Sequence, residues 1–285
     1  MTPRLDRLIP LLTLILAGLG LVFLLDAAAA AAVFNLGGDL PRIPVAWPLV
    51  ALLGGLAGAG VEWLMRSHPR WSPRLTVPLR IGGRTVEGLW PWWILPALTP
   101  PAVFAFCRLF RGSFGIATYV GVLIGTGGLL ALIYVWQHRL LLAPPEARGG
   151  AAVGLHVVAF ALAFAIFAAV TYNRYRTLYA AVLLVPSITL LGYDLLRGAV
   201  ATPWRIAAAL GLVLLEGYWL LGYWPAPFLL NAAALLLVFY AAIGILRNSP
   251  REGMPRAVLI EYGTLTVGGL VTLAIAALVL RGRIG

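Results

Sequence analysis

Residues 151–170 read AAVGLHVVAFALAFAIFAAV, with His156 as the one ionisable side chain. An α-helix rises 1.5 Å per residue, so about 20 mostly apolar residues cross the hydrocarbon layer of a bilayer. A soluble protein would interrupt such a segment with polar residues at helical spacing. The segment therefore predicts a transmembrane helix.

The same pattern recurs along the whole chain of 285 residues, of which 61% are hydrophobic and 11% charged. An average soluble domain has about 25% charged residues. The prediction is an all-α, polytopic membrane helix bundle that forms a single transmembrane domain over residues 1–285. Nine spanning helices are expected near residues 8–30, 46–65, 91–110, 115–137, 151–171, 177–196, 203–223, 226–246 and 257–280.

Arginine predicts the orientation of these helices, because all 21 basic residues are arginine. Cytoplasmic loops are enriched in basic residues. With the amino terminus in the cytoplasm, arginine is about twice as frequent on the inner side as on the outer side. We expect nine crossings, an external carboxyl terminus, and integration into the cytoplasmic membrane of a bacterium or archaeon.

The segment 66–90 is predicted to be a basic cytoplasmic loop. Alternating residues on both sides of Gly82-Gly83 favour a β-hairpin, since paired glycines allow the positive φ angles of a two-residue turn. Contact with anionic lipid headgroups is expected for Arg66, Arg70, Arg74, Arg80 and Arg84. Docking of a partner subunit is the alternative for this loop.

Several functional classes are excluded by residues that the chain lacks. It has no lysine, which a phosphate-loop nucleotide site and a retinal or pyridoxal Schiff base require. Its single cysteine, Cys107, forms neither an intrachain disulfide nor a cysteine-ligated iron–sulfur cluster. The spacing of His138 and His156 does not specify a haem site. We expect no cofactor and no bound metal.

The net charge of +11 is attributed to membrane orientation. The expected partners are membrane lipids, including those with anionic headgroups, and membrane protein subunits, with no nucleic acid. Small residues predict close helix packing in two places, Gly54 with Gly58 and a stripe on the fourth helix formed by Thr118, Gly121, Gly125 and Gly128.

Glu216 is the most deeply placed carboxylate, about 13 residues into the seventh helix. A carboxylate at the bilayer centre costs about 2.5 to 3.5 kcal/mol on insertion scales, so it is expected to be protonated, paired or hydrated. A hydrogen bond to Asn231 on the eighth helix is the simplest arrangement. Asp26, Arg108 and Arg111 are further candidate partners.

A second group of candidate residues lies near the inner ends of helices: Glu62, Asp194, Glu261 and His156. If the helices are neighbours, these residues form a substrate or ion site. Local pairs are the alternative, because Arg66 follows Glu62 by four residues and Arg197 follows Asp194 by three, spacings that place side chains on one helix face.

The third predicted helix contains Pro96, Pro100 and Pro101, each of which lacks a backbone donor. These prolines predict a hinge or a broken helix, with simple kinks as the alternative. Broken helices in membranes often surround transport sites.

Three functions remain open. The first is a small permease or carrier with a buried carboxylate site, which requires that the carboxylates lie around one water-filled cavity. The second is a structural or accessory subunit of a membrane complex, in which the carboxylates are paired. The third is a membrane enzyme that modifies lipids, with arginines that hold a phosphate.

Overall fold

The computed structural model describes residues 5–27, 33–34, 43–66, 77–81, 84–142, 149–173, 177–248 and 255–284. Over this part of the chain it contains nine α-helices and two short antiparallel strand pairs. The helices are α1 Leu5–Ala27, α2 Ala46–Arg66, α3 Trp90–Arg108, α4 Ile116–Leu142, α5 Gly149–Asn173, α6 Thr177–Leu196, α7 Pro203–Leu221, α8 Phe228–Arg247 and α9 Arg256–Ile284.

Eight of these nine helices are long and apolar enough to cross a membrane, within the residues described. The exception is α3, whose four prolines and three tryptophans lower its mean hydropathy. The prediction of an all-α membrane helix bundle is confirmed. The contacts divide the chain into two compact units, Met1–Val158 and Ala159–Gly285, where the sequence analysis expects a single domain.

Each of the helices α2, α3 and α4 runs antiparallel to the helix before it in the chain. Leu11 and Leu53 reach across the α1–α2 interface to Gly60 and Gly18 respectively, which shows that the two helices run in opposite directions. The α4 helix is antiparallel to α1 and parallel to α2, where Tyr134 Oη donates a hydrogen bond of 2.7 Å to the backbone oxygen of Ala57.

The α2–α3 interface depends on glycine. A Cβ at Gly54 would overlap the carbonyl oxygen of Ala97, and one at Gly58 would lie 3.1 Å from the Cβ of Trp93. The predicted close packing of Gly54 and Gly58 is therefore confirmed. The stripe on α4 differs, because Gly121, Gly125 and Gly128 are exposed and no atom of the described residues lies within 4 Å of a Cβ at these positions. The prediction that this stripe packs within the chain is wrong.

The α3 helix is continuous from Trp90 to Arg108, so the prediction of a break at Pro96, Pro100 and Pro101 is wrong. A proline at position i leaves the carbonyl of residue i−4 without its helical donor. Pro96 thus frees the oxygen of Trp92, and Gln137 Nε2 on α4 donates a hydrogen bond of 2.8 Å to it. Pro101 frees the oxygen of Ala97, which is the atom that α2 approaches closely at Gly54. Neighbouring helices thus contact two of the groups that the prolines release.

The predicted loop contains a hairpin. Strand β3, Val77–Ile81, pairs antiparallel with β4, Arg84–Gly88, and Ile81 is opposite Arg84. The register agrees with a two-residue connection at Gly82-Gly83, where the sequence analysis places the turn. A shorter pair, β1 Val33–Phe34 and β2 Ile43–Pro44, precedes α2 in the chain. The side chains of β3 and of most of β4 lie outside the described residues, as do Arg70 and Arg74.

In the second unit, α6 and α7 pack antiparallel over most of their length. Small residues permit this contact: Gly192 faces Ala207, and Gly211 lies close to Val185 and Thr189. The α8 helix contacts α5, α6, α7 and α9. It meets α7 at Gly217 and α9 at Gly269, and its Phe239 packs against aromatic rings of α5.

Candidate functional site

A buried carboxylate with two arginines lies at the end of the first unit where α1 and α3 terminate. Asp26 is in the last turn of α1, and its side chain is 7% exposed. Its Oδ2 atom is 3.5 Å from Nε of Arg108 and 3.4 Å from Nη1 of Arg111. The three residues have a net charge of +1. We call them the Asp26 cluster.

Aromatic residues surround the Asp26 cluster. The guanidinium of Arg108 lies 5.9 Å from the ring centre of Trp47, a cation–π contact. The ring of Phe104 packs against both Trp47 and Phe23. A small pocket with room for about one water molecule is lined by Phe23, Asp26, Phe104, Cys107, Arg108, Arg111 and Tyr119.

The sequence analysis names Asp26, Arg108 and Arg111 only as alternative partners of Glu216, and their pairing with one another was missed. The pairing could have been predicted from the direction of the helices. Successive antiparallel helices bring the carboxyl-terminal ends of α1 and α3, where Asp26 and Arg108 lie, to the same end of a bundle. The ion pair also shows that α2 and α3 both run the full distance between the two ends of this unit.

Two of the three carboxylates expected at inner helix ends are paired locally. Glu62 forms an ion pair with Arg66, and Asp194 Oδ1 lies 3.0 Å from a terminal nitrogen of Arg197. Their side chains are 17% and 9% exposed. These are the pairs at i, i+4 and i, i+3 that the sequence analysis gives as the alternative to a shared site.

The other predicted members of that site belong to different units. His156 is half-buried on α5 in the first unit, whereas Glu261 is exposed near the start of α9 in the second unit. His138, at the end of α4, is buried. No group of three or more histidine, cysteine, aspartate or glutamate side chains in the described parts of the chain could hold a metal ion.

Glu216 is exposed on α7, where Leu212, Val213, Trp219 and Leu220 are exposed beside it. The helix buries the opposite face, at Ala207, Leu210, Gly211, Leu214 and Tyr218. A helix turns about 100° per residue, so Glu216, two positions after Leu214, points away from the buried face. We call residues Leu212, Val213, Glu216, Trp219 and Leu220 the α7 acidic face.

The predicted hydrogen bond between Glu216 and Asn231 is not among those of the described residues. Asn231 is half-buried on α8, and its Oδ1 atom is buried without a hydrogen-bond partner in that part of the structure. The reason is the rotation of α7, which turns Glu216 away from the surface that packs in the second unit.

These observations describe a multi-pass membrane protein in which the carboxylates of the described side chains are either paired with arginine or exposed. A family model matches residues 27–277, which includes α2 to α8 and most of α9. The chain belongs to the family described as "Protein of unknown function (DUF5656)". No curated protein and no solved structure matches it. Within the described residues, the Asp26 cluster holds a buried carboxylate that is paired with two arginines, and the α7 acidic face holds an exposed one.

Proposed function

We propose that the protein is a structural or accessory subunit of a membrane complex, and that a partner covers the α7 acidic face. The observation that carries the proposal is the exposure of Glu216 among apolar side chains of a spanning helix. The residue lies five positions before the end of α7, about 7 to 8 Å along the helix axis. Placing a carboxylate against lipid at this depth has a free-energy cost of up to about 2.5 to 3.5 kcal/mol, which an ion pair with a partner would offset.

Charge complementarity specifies the partner's chemistry. A transmembrane helix with an arginine or lysine at the same depth would pair with Glu216, since charged residues inside membranes usually pair with one another. A second copy docked by a two-fold axis on this face would instead bring two Glu216 side chains together. Arg205 is the exposed basic residue on the same face of α7. It lies eleven positions before Glu216, about 16 Å along the helix axis, so in such a pair of copies it is not at the depth of Glu216.

The permease hypothesis has less support. It requires several carboxylates at one water-filled site, but Glu62 and Asp194 form local ion pairs with Arg66 and Arg197. A lipid-modifying enzyme requires a free base beside arginines that bind phosphate, and in the Asp26 cluster the carboxylate of the described residues is ion-paired with both arginines. Both functions remain predictions of the sequence.

The test places a photo-crosslinking amino acid at Leu212, beside Glu216, in native membranes. We expect a crosslink to one protein whose identified transmembrane helix contains a basic residue. Glu216→Gln should reduce the yield about tenfold, as expected for loss of an interhelical contact of about 1 to 2 kcal/mol. Glu261→Gln is the matched control, because it makes the same change at an exposed carboxylate on α9 and should leave the yield unchanged.

Reversal of charge provides the decisive arm of this test. Glu216→Arg should abolish the crosslink, and an acidic residue at the partner's basic position should restore it. The proposal is overturned by crosslinks to lipid alone, by crosslinks only between copies of this chain, or by a yield that Glu216→Gln does not change.

A further inference from the structure

We propose that the Asp26 cluster is a binding site for a phosphate group at the membrane surface, supplied by a lipid headgroup or by free phosphate. Two guanidinium groups share one carboxylate oxygen, so the cluster has one positive charge in excess. The residues that line it otherwise are uncharged. Asp39 and Arg42, in the connecting segment outside the described residues, have opposite charges.

Both guanidinium groups of the cluster have unused hydrogen-bond donors. A guanidinium has five N–H donors in a planar fork that matches the oxygens of a phosphate. Arg108 directs Nε to Asp26, and Arg111 directs Nη1 to it. Within the described residues neither guanidinium makes another ion pair or hydrogen bond. The side chains are 32% and 41% exposed, so their remaining donors are accessible from outside.

The cluster lies at the ends of α1 and α3, and Trp47, at the start of α2, packs under Arg108. Tryptophan is enriched at the headgroup level of membranes, where lipid phosphates lie. The Trp47 contact also restrains Arg108, which lowers the entropy cost of binding. Since the pocket holds about one water molecule, the phosphate would bind over its mouth, against the exposed donors.

The experiment compares purified wild-type protein with Arg111→Gln in neutral detergent. Each is given phosphatidylglycerol, phosphatidylcholine, or inorganic phosphate against chloride at equal ionic strength. Bound lipid is counted by native mass spectrometry, and binding of either ligand is followed by the rise in Tm. Arg139→Gln is the control, because Arg139 is an exposed arginine near the end of α4, far along the helix from Ile116.

We expect phosphatidylglycerol or inorganic phosphate to raise the Tm of wild type and of Arg139→Gln by several degrees, and Arg111→Gln to lose most of this rise. A response to phosphatidylglycerol alone identifies a lipid headgroup, and a response to inorganic phosphate alone identifies the free ion. Either supports the site. If Arg111→Gln does not fold, Arg111→Lys serves instead, because lysine retains the positive charge but lacks the planar set of guanidinium N–H donors. An unchanged response in the substituted protein, or no response of wild type to either ligand, overturns the proposal.

Discussion

Gln137 illustrates how one side chain can keep a proline-containing helix continuous. It is 2% exposed on α4, and its Nε2 atom donates to the Trp92 oxygen that Pro96 leaves without a donor. In a membrane, an unsatisfied carbonyl has no water to bind, so a neighbouring side chain must supply the donor. The predicted break in α3 was wrong for this reason: the sequence shows the lost donor but not its replacement on another helix.

A double-mutant cycle tests this account. Gln137→Leu should lower the free energy of unfolding by about 1 kcal/mol, since it removes a buried interhelical hydrogen bond. In the Pro96→Ala background the loss should be much smaller, because the alanine would provide its own backbone N–H to the Trp92 oxygen. Unfolding in mixed micelles measures all four proteins. Equal losses in both backgrounds would contradict the role of Gln137.

The carboxylates show which residue contacts can be predicted. Glu62–Arg66 and Asp194–Arg197 follow from helical spacing alone, and the structure contains both pairs. Asp26 and Arg108 belong to different helices, and their contact depends on how α1, α2 and α3 pack. Periodicity could have shown that Glu216 lies opposite the buried face of α7, had that face been known.

At the scale of helices, the small residues predict a surface for helix packing, but they do not predict whether another helix of the same chain packs against it. Gly54 and Gly58 contact α3, whereas Gly121, Gly125 and Gly128 of α4 are exposed. Both patterns satisfy the same rule, that small residues let helix backbones approach closely. The difference arises because α3 offers small or flat side chains to α2, and no described helix approaches that face of α4.

Neighbouring glycines provide a matched test of the α2–α3 contact. Gly54→Ala should destabilise the protein by about 1 to 3 kcal/mol, because the new methyl group overlaps the Ala97 oxygen. Gly55→Ala should leave stability unchanged or raise it by up to about 1 kcal/mol, because its Cβ has open space and alanine favours the helix. Thermal unfolding in detergent distinguishes the two. Similar effects of both substitutions would refute the assigned interface.

At the scale of the whole molecule, the number of crossings decides which residues share a side of the membrane. Eight helices meet the length and hydropathy of a span within the described residues, and α3 falls short. Its antiparallel packing between α2 and α4, and the ion pair of Arg108 with Asp26, favour a ninth crossing.

Cysteine labelling tests this topology, since Cys107 is buried and can be replaced by serine. In that background, Ser113→Cys should react with an impermeant maleimide in intact cells. Arg139→Cys should react only after permeabilisation. Both positions are exposed, and they lie at opposite ends of α4. With eight crossings and the amino terminus inside, the two results would be exchanged.

Composition and hydropathy alone dictate that this chain is a bundle of membrane helices, because only helices or closed barrels satisfy the backbone in lipid. The local ion pairs of Glu62 and Asp194 follow from spacing along single helices. Tertiary packing alone decides the continuity of α3, the assembly of the Asp26 cluster and the outward direction of Glu216. Each of these depends on the rotation of one helix against another, and many side-chain combinations with the same hydropathy would allow a different rotation.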